Sequence, residues 1–264
     1  MIIDFHTHFF PDKIAQKAIT MLSKYSGGIT PCTLGTAESS KDILKKSGVE
    51  KAVLLSVATN PKQQKNVNDF AVSLISDSMI IPFGSVHPDS EEIFDELKRL
   101  KNAGIKGIKL HPDYQNFFVD EDRMIPIYKK IAEMGFITVF HSGIDIGFPE
   151  PVHCTPERLS HILDAFDGAP VVAAHLGGYL MYEDTLKYLC GKDVYIDTSF
   201  SCGKVPPYYA KQIIANHPCD RVLFGTDMPW SSPEDELSFI DSLELNAGDR
   251  DAILYKNAKA ILNL

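Results

Sequence analysis

The sequence predicts a single-domain (β/α)8 TIM barrel, and three observations lead there. The first is length, since 264 residues lie near the ~250 typical of that fold. The second is a recurrence of short apolar, β-branched runs roughly every 25 to 40 residues, separated by polar stretches of helical periodicity. That is the pattern of repeated βα units around a parallel sheet. The third is the placement of histidines. His6, His8, His87, His111, His141 and His175 all close predicted strands, joined there by Asp227. In a parallel barrel those ends share the face on which active sites sit.

The predicted strands are Ile2–His8, Lys51–Ala58, Ile80–His87, Gly104–His111, Phe136–Ser142, Pro170–Gly177, Asp193–Phe200 and Arg221–Asp227. Glu91–Asn102 reads as an amphipathic helix with Ile93, Phe94, Leu97 and Leu100 on one face and Ser90 as its N-cap. Pro156 opens another, with Leu159, Ile162, Leu163 and Phe166 as its apolar stripe. Further helical stretches are Ser40–Lys46, Gln63–Ile75, Met124–Met134, Pro207–Ala215, Glu234–Leu243 and Asp249–Leu262. Pro11–Thr36 is too long for a simple turn and is expected to form an inserted helix and loop over the barrel mouth, a candidate lid.

Composition narrows the function classes. A formal charge of -9 repels phosphate backbones and anionic membrane faces, so a small-molecule substrate is expected, with neither nucleic acid nor membrane as partner. No apolar run approaches the ~20 residues of a membrane span, and no signal peptide is apparent, so a cytoplasmic location is expected. Five cysteines without CxxC spacing argue against a disulfide framework and a thiolate zinc site.

The sharpest local feature is His6-Thr7-His8. Side chains two apart on a strand share a side, so both imidazoles can grip one ion. His141 offers a third imidazole and Asp227 a carboxylate, a donor set that suits Zn²⁺ with a position left open. His175, followed by two glycines, is read as a residue that moves protons or polarises the substrate, the alternative being a ligand of a second ion. Lys109 and His111 alternate inward on the fourth strand. The lysine is a contact for a substrate carboxylate, a partner of Asp4 or Asp197, or a modified metal ligand. Asp4 and Asp197 are expected to orient a histidine or pair with Lys109. Trp230, Phe9, Phe10, Tyr114 and Phe148 suggest an apolar substrate wall, whereas His153, His161 and His217 read as surface or capping residues.

The ordered set His6-Thr7-His8, Gly107-Ile108-Lys109-Leu110-His111-Pro112, His141-Ser142-Gly143, Ala174-His175-Leu176-Gly177-Gly178, Asp197-Thr198-Ser199 and Gly225-Thr226-Asp227-Met228-Pro229-Trp230 resembles the amidohydrolase superfamily. The branch it is most similar to contains aminocarboxymuconate semialdehyde decarboxylase and related hydrolases, and the likeness spans the chain. The resemblance implies one Zn²⁺, or another divalent ion such as Mn²⁺, on His6, His8, His141 and Asp227, with His175 and Asp227 catalytic. It implies hydrolysis of a C–O or C–N bond in a small anionic molecule, with non-oxidative decarboxylation as the alternative and a non-catalytic binding barrel as a third reading. A homodimer is also expected from the likeness. Arginines that would clamp a dicarboxylate are missing from the predicted active face, where the sequence departs from the decarboxylase pattern.

Overall fold

The computed structural model describes residues 1–148 and 150–264. Eight strands follow one another: β1 (Ile3–Thr7), β2 (Lys51–Leu55), β3 (Ile80–Phe83), β4 (Gly107–Leu110), β5 (Ile137–Phe140), β6 (Val171–Ala173), β7 (Tyr195–Asp197) and β8 (Val222–Leu223). All paired neighbours are parallel, in two continuous ladders, β1-β2-β3 and β4-β5-β6-β7-β8. Backbone bonds join the ladders at both seams. Gly84 N–H donates to Gly107 O at 2.9 Å and Lys109 N–H to Gly84 O at 2.8 Å. On the other side Phe5 N–H donates to Phe224 O at 2.8 Å and Asp227 N–H to His6 O at 2.8 Å. The result is a closed eight-stranded barrel.

The strands are shorter than the apolar runs that predict them. Each run continues past its strand into a turn, and several of those turns need left-handed backbone, at His175, Leu176, Phe200 and Asp227 among others. A β ladder cannot pass through positive φ, so the chemistry-bearing residues stand just beyond the strand ends.

Alternate residues fill the barrel and its helix-facing side. Ile3, Phe5, Val53, Leu55, Phe83, Ile137, Val139, Val172 and Leu223 form one buried cluster, while Ile108, Leu110, Phe140, Ala173, Ile196, Val222 and Phe224 pack against the helices. β1 departs from strict alternation. Ile3 and Asp4 face Lys51 and Ala52, yet Thr7 faces Leu54, so β1 carries one residue more than β2. This irregularity lets adjacent Phe5 and His6 both serve the interior, Phe5 edge-on against Phe83 at 5.9 Å and His6 in the cluster described below.

Helices follow every strand. The insertion after β1 holds a helix at Asp12–Tyr25, and a second helix, Ala37–Lys46, is capped by Thr36. Four features differ from expectation. The predicted Glu91–Asn102 helix starts at Ile93 with no side-chain cap, because Ser90 Oγ instead accepts from Glu92 N–H in the preceding turn. Phe94 turns to solvent while Ile93, Leu97 and Leu100 are buried. The stretch after β6 forms short helical turns at Tyr182–Asp184 and Thr185–Leu189 that sequence periodicity did not reveal. Asp249–Leu262 divides into three consecutive helical segments. All five cysteines are unpaired, and no helix among the described residues is long and apolar enough to cross a membrane.

Gly107 shows how tightly the interior is filled: a Cβ there would lie 2.2 to 2.6 Å from the Phe83 ring. Gly107→Ala is therefore expected to lower unfolding stability by about 1–3 kcal/mol, measurable by chemical denaturation; an unchanged midpoint would show that Phe83 has room to move.

Candidate metal centre and cavity

The two ends of the chain meet at the C-terminal rim. His6 Nε2 and His8 Nε2 lie 3.1 Å apart, and Asp227 Oδ1 lies 3.4 Å from the first and 3.1 Å from the second. Their partners fix the tautomers. His8 Nδ1 is 2.7 Å from the Leu55 carbonyl, which can only accept, so that nitrogen carries the proton. His6 Nδ1 is 2.8 Å from Asp197 Oδ2 and donates to it. Burial first, and then the charge of Lys109, push the His6 pKa down to about 3, which keeps the ring neutral. With the protons on Nδ1, the Nε2 atoms present lone pairs to each other and to a carboxylate oxygen. Three electron-pair donors converging without a shared proton is an arrangement that a cation resolves, and imidazoles held through Nδ1 by carbonyl or carboxylate are the usual form of metal-binding histidines.

His141 stands beside this group. Its Nδ1 is 3.1 Å from His175 Nε2, and its Nε2 is buried with no hydrogen-bond partner among the described residues. His175 Nδ1 reaches Ser199 Oγ at 2.9 Å and Ser199 O at 3.3 Å, so it donates there and its Nε2 accepts from His141. That leaves a bare lone pair on His141 Nε2, the chemistry of a ligand. Among the described residues, ligand atoms lie within 4.8 Å of one another in His6, His8 and Asp227, in His6, His175 and Asp197, and in His111, His141 and Asp145, so His141 is grouped apart from His6 and His8. The His111 and His141 rings stack at 4.1 Å.

Asp197 ties the rim together. Besides His6 it accepts from the backbone N–H groups of His175 at 2.9 Å and Ser199 at 3.1 Å. Burial raises its pKa, but the His6 contact and these bonds outweigh burial and hold it below the ordinary carboxylate value. Asp4 neither orients an imidazole nor pairs with Lys109. Its oxygens accept from His6 N–H, Thr226 N–H and Thr226 Oγ1, and burial raises its pKa to about 7. Lys109 is fully buried, and its Nζ has no hydrogen-bond partner among the described residues. His153 and His217 are not surface residues: His153 Nδ1 bonds Asp113 at 2.8 Å and His217 Nε2 bonds the Val194 carbonyl at 2.9 Å.

Above the centre lies a cavity bounded by Tyr114, Tyr179, Phe200 and Trp230, with His141, His175, Asp145 and Asp227 on its wall. Leu22, Ser26 and Ile29 from the inserted segment complete it, which places that segment over the mouth. Trp230 and Tyr114 are where the sequence suggests. Phe9 is buried in the core, and Phe148 touches Tyr114 from outside the lining. Lys109 and His111, expected as substrate contacts, are also absent from the lining. Asp145, Tyr179 and Phe200 were not singled out by sequence. No lysine or arginine lines the cavity. All five arginines are committed to carboxylates elsewhere: Arg99 to Glu96 and Asp69, Arg123 to Asp89 and Glu121, Arg158 to Asp120, Arg221 to Asp193, and Arg250 to Asp241.

The family description Amidohydrolase matches residues 3–264. The chain belongs to the amidohydrolase family. With the family comes the enzyme class, a metal-dependent hydrolase or carboxy-lyase. No curated protein matches by sequence. Solved structures share the TIM-barrel fold of this amidohydrolase. An uncharacterised TIM-barrel protein of Bordetella bronchiseptica is 18% identical, with TM-score 0.77 over 99% of this chain and 98% of that one. Dihydroxybenzoic acid decarboxylase of Polaromonas sp. JS666, with bound manganese and the inhibitor 2-nitroresorcinol, is 15% identical, with TM-score 0.74 over 100% and 97%. The 5-carboxyvanillate decarboxylase LigW of Sphingomonas paucimobilis is 14% identical, with TM-score 0.69 over 100% and 99%.

The unpartnered Lys109 amine has a measurable cost in this amidohydrolase. Burial lowers its pKa from 10.5 to about 8, opposed by the charges of Asp197 and Asp227. The unfolded chain holds this proton up to about 10.5 while the folded one releases it near 8, so between those values the unfolded state binds more protons and stability rises with pH. In metal-free protein Lys109→Met is expected to abolish that rise and to add about 1–3 kcal/mol near pH 7. Denaturation at pH 7 and pH 10 checks both; a parallel pH dependence in the two proteins would show that Lys109 is satisfied.

Proposed function

We propose that this amidohydrolase is a metal-dependent carboxy-lyase that releases CO₂ from a small aromatic carboxylate. The observation that carries this reading is a cavity lined by four aromatic rings and by aliphatic side chains, with no lysine or arginine among its described lining residues, which Asp227 of the His6, His8 and Asp227 donor set borders. Flat rings favour a planar substrate. With no lysine or arginine among the described lining residues, a cation bound on those donors would be the main positive charge a substrate carboxylate meets, and it would draw the reacting carboxylate to itself. The decarboxylases of like fold support the same choice.

His6, His8 and Asp227 would hold the ion, with His141 as the fourth ligand through its unpartnered Nε2. Three imidazoles and a carboxylate suit Zn²⁺, and Mn²⁺ is the alternative. Bound there, the ion supplies positive charge and Lewis-acid polarisation. In decarboxylation the bond between the ring carbon and the carboxylate breaks, CO₂ leaves, and the carbon takes up a proton. His175 and Asp227 both border the cavity and are the groups placed to relay that proton, each after first taking it up from solvent. Tyr114, Tyr179, Phe200 and Trp230 hold the ring and exclude water.

Hydrolysis of a C–O or C–N bond is the second reading. It is favoured by His175, whose pKa burial lowers, and by Asp227, whose pKa lies below the ordinary carboxylate value despite burial. Both groups are thereby bases ready to take a proton from water.

Metal-loaded protein is expected to release one CO₂ per substrate consumed from hydroxybenzoates and to place one deuterium on the ring in D₂O. Turnover of lactones, esters or amides without CO₂ would put hydrolysis in its place. His175→Asn is expected to keep about one metal per chain by elemental analysis and to lose turnover by about 10²–10⁴-fold; loss of the metal would make His175 a ligand.

A further inference from the structure

Two of the rings that wall the cavity, Phe200 and Trp230, stand in the loops after β7 and β8. Each ring's own N–H is tied to the chain just past β8, Phe200 N–H donating to Thr226 O at 3.3 Å and Trp230 N–H to Asp227 O at 2.9 Å. Immediately beyond the rings both loops turn to a single group, the carboxylate of Glu236 on the helix Pro233–Ser242. It accepts from Ser201 N–H at 3.1 Å, from Cys202 N–H at 3.2 Å and from Ser231 Oγ at 2.6 Å. Phe200 holds a left-handed φ of 57, and the two N–H groups that follow it converge on the carboxylate as a backbone nest for an anion. Glu236 is fully buried, and its hydrogen bonds among the described residues all come from these neutral donors.

A buried carboxylate with no cation bonded to it is costly. Burial raises the Glu236 pKa from 4.5 to about 7, against the Ser231, Cys202 and Ser201 donors and the charge of Lys204. The folded carboxyl keeps its proton up to about 7 while the unfolded one releases it near 4.5, so stability falls as pH rises between those values. Ionisation thus weakens the fold, yet it offers both oxygens to three donors in two loops, whereas the protonated group gives one oxygen to its own O–H. The charged and titratable groups close to Glu236 are Lys204 and Cys202 of the loop after β7, with Asp235 beside it in sequence; the loop after β8 offers a hydroxyl and no charge. We propose that Glu236 is a positioning residue of the cavity, holding the loops after β7 and β8 together so that Phe200 and Trp230 keep the placement a flat ligand needs. The assignment rests on the reading of the cavity as the ligand site and not on carboxy-lyase chemistry.

Trp230 is the one tryptophan of the chain, so its fluorescence reports on this wall directly. In the Zn²⁺-loaded protein Trp230 emission is expected to pass through a transition with its midpoint near pH 7, and quenching by acrylamide should fall as pH rises through it. Glu236→Gln keeps the size of the side chain and removes its charge; it should abolish the transition and leave quenching at its low-pH level throughout. Ser231→Ala removes the donor that most lowers the Glu236 pKa, and should move the midpoint to higher pH. With benzoate as a flat probe at pH 8, Glu236→Gln is expected to bind at least about 5-fold more weakly than wild type at equal zinc content, the loss of a preorganised wall. No transition in wild type, a transition that persists in Glu236→Gln, a midpoint unmoved by Ser231→Ala, or equal benzoate affinity in the two proteins overturns the assignment. If benzoate binds neither protein while the fluorescence follows Glu236 as described, the positioning role stands and the carboxy-lyase reading falls.

Discussion

The site depends on the seam where β8 meets β1. Asp227 N–H is bonded to the His6 carbonyl at 2.8 Å and His8 N–H to the Met228 carbonyl at 2.6 Å. The carboxylate and the two imidazoles are therefore spaced by backbone geometry, and the rest of the barrel keeps that geometry in place. Gly225 makes the approach close enough, since a Cβ there would lie 2.9 Å from His6 Cβ. Asp227 itself sits at φ 65, a costly conformation for a residue other than glycine. The seam sustains it, because Asp227 N–H and C=O are both bonded, the latter to Trp230 N–H.

A proton accounting runs outward from that seam. Leu55 O and Asp197 take the Nδ1 protons of His8 and His6, Ser199 takes that of His175, and His175 takes that of His141. Every ring has a committed proton on one side. The lone pairs that remain on His6, His8 and His141 are thus a consequence of their partners, and at His6 and His141 burial, which disfavours imidazolium, keeps them available. Hydrogen bonds made on the far side of each ring set the donor character of the near side.

Much of this was legible in the sequence because strand ends are readable from apolar runs, and a parallel barrel gathers them on one face. His6, His8, His175 and Asp227 follow from that reasoning. The bulge in β1 was not legible, since the pattern Ile3-Asp4-Phe5-His6 reads as plain alternation and only pairing with β2 reveals the extra residue. Asp4 was misjudged because its side chain bonds Thr226, just past β8, and the His6 backbone N–H, contacts made by the seam and the local turn and not by periodicity. Asp145, Tyr179 and Phe200 lie in loops, where no periodicity says which side chains turn inward. Phe94 was assigned to the core because hydrophobicity alone does not exclude exposure.

Charge explains why such a cavity can do without arginine. Deeper in the barrel the buried Lys109 cation is set against the Asp197 anion, without direct contact. At the rim a divalent ion held on His6, His8 and Asp227 would be half balanced by Asp227, and one substrate carboxylate would supply the rest. Nothing in the lining balances any further negative charge, and Asp145 already adds one. In surroundings of low effective dielectric an extra carboxylate a few ångströms away is strongly disfavoured. The five arginines are spent on ion pairs outside the cavity, so under the proposed function selectivity for a singly charged ring would follow from what the cavity lacks as much as from what lines it.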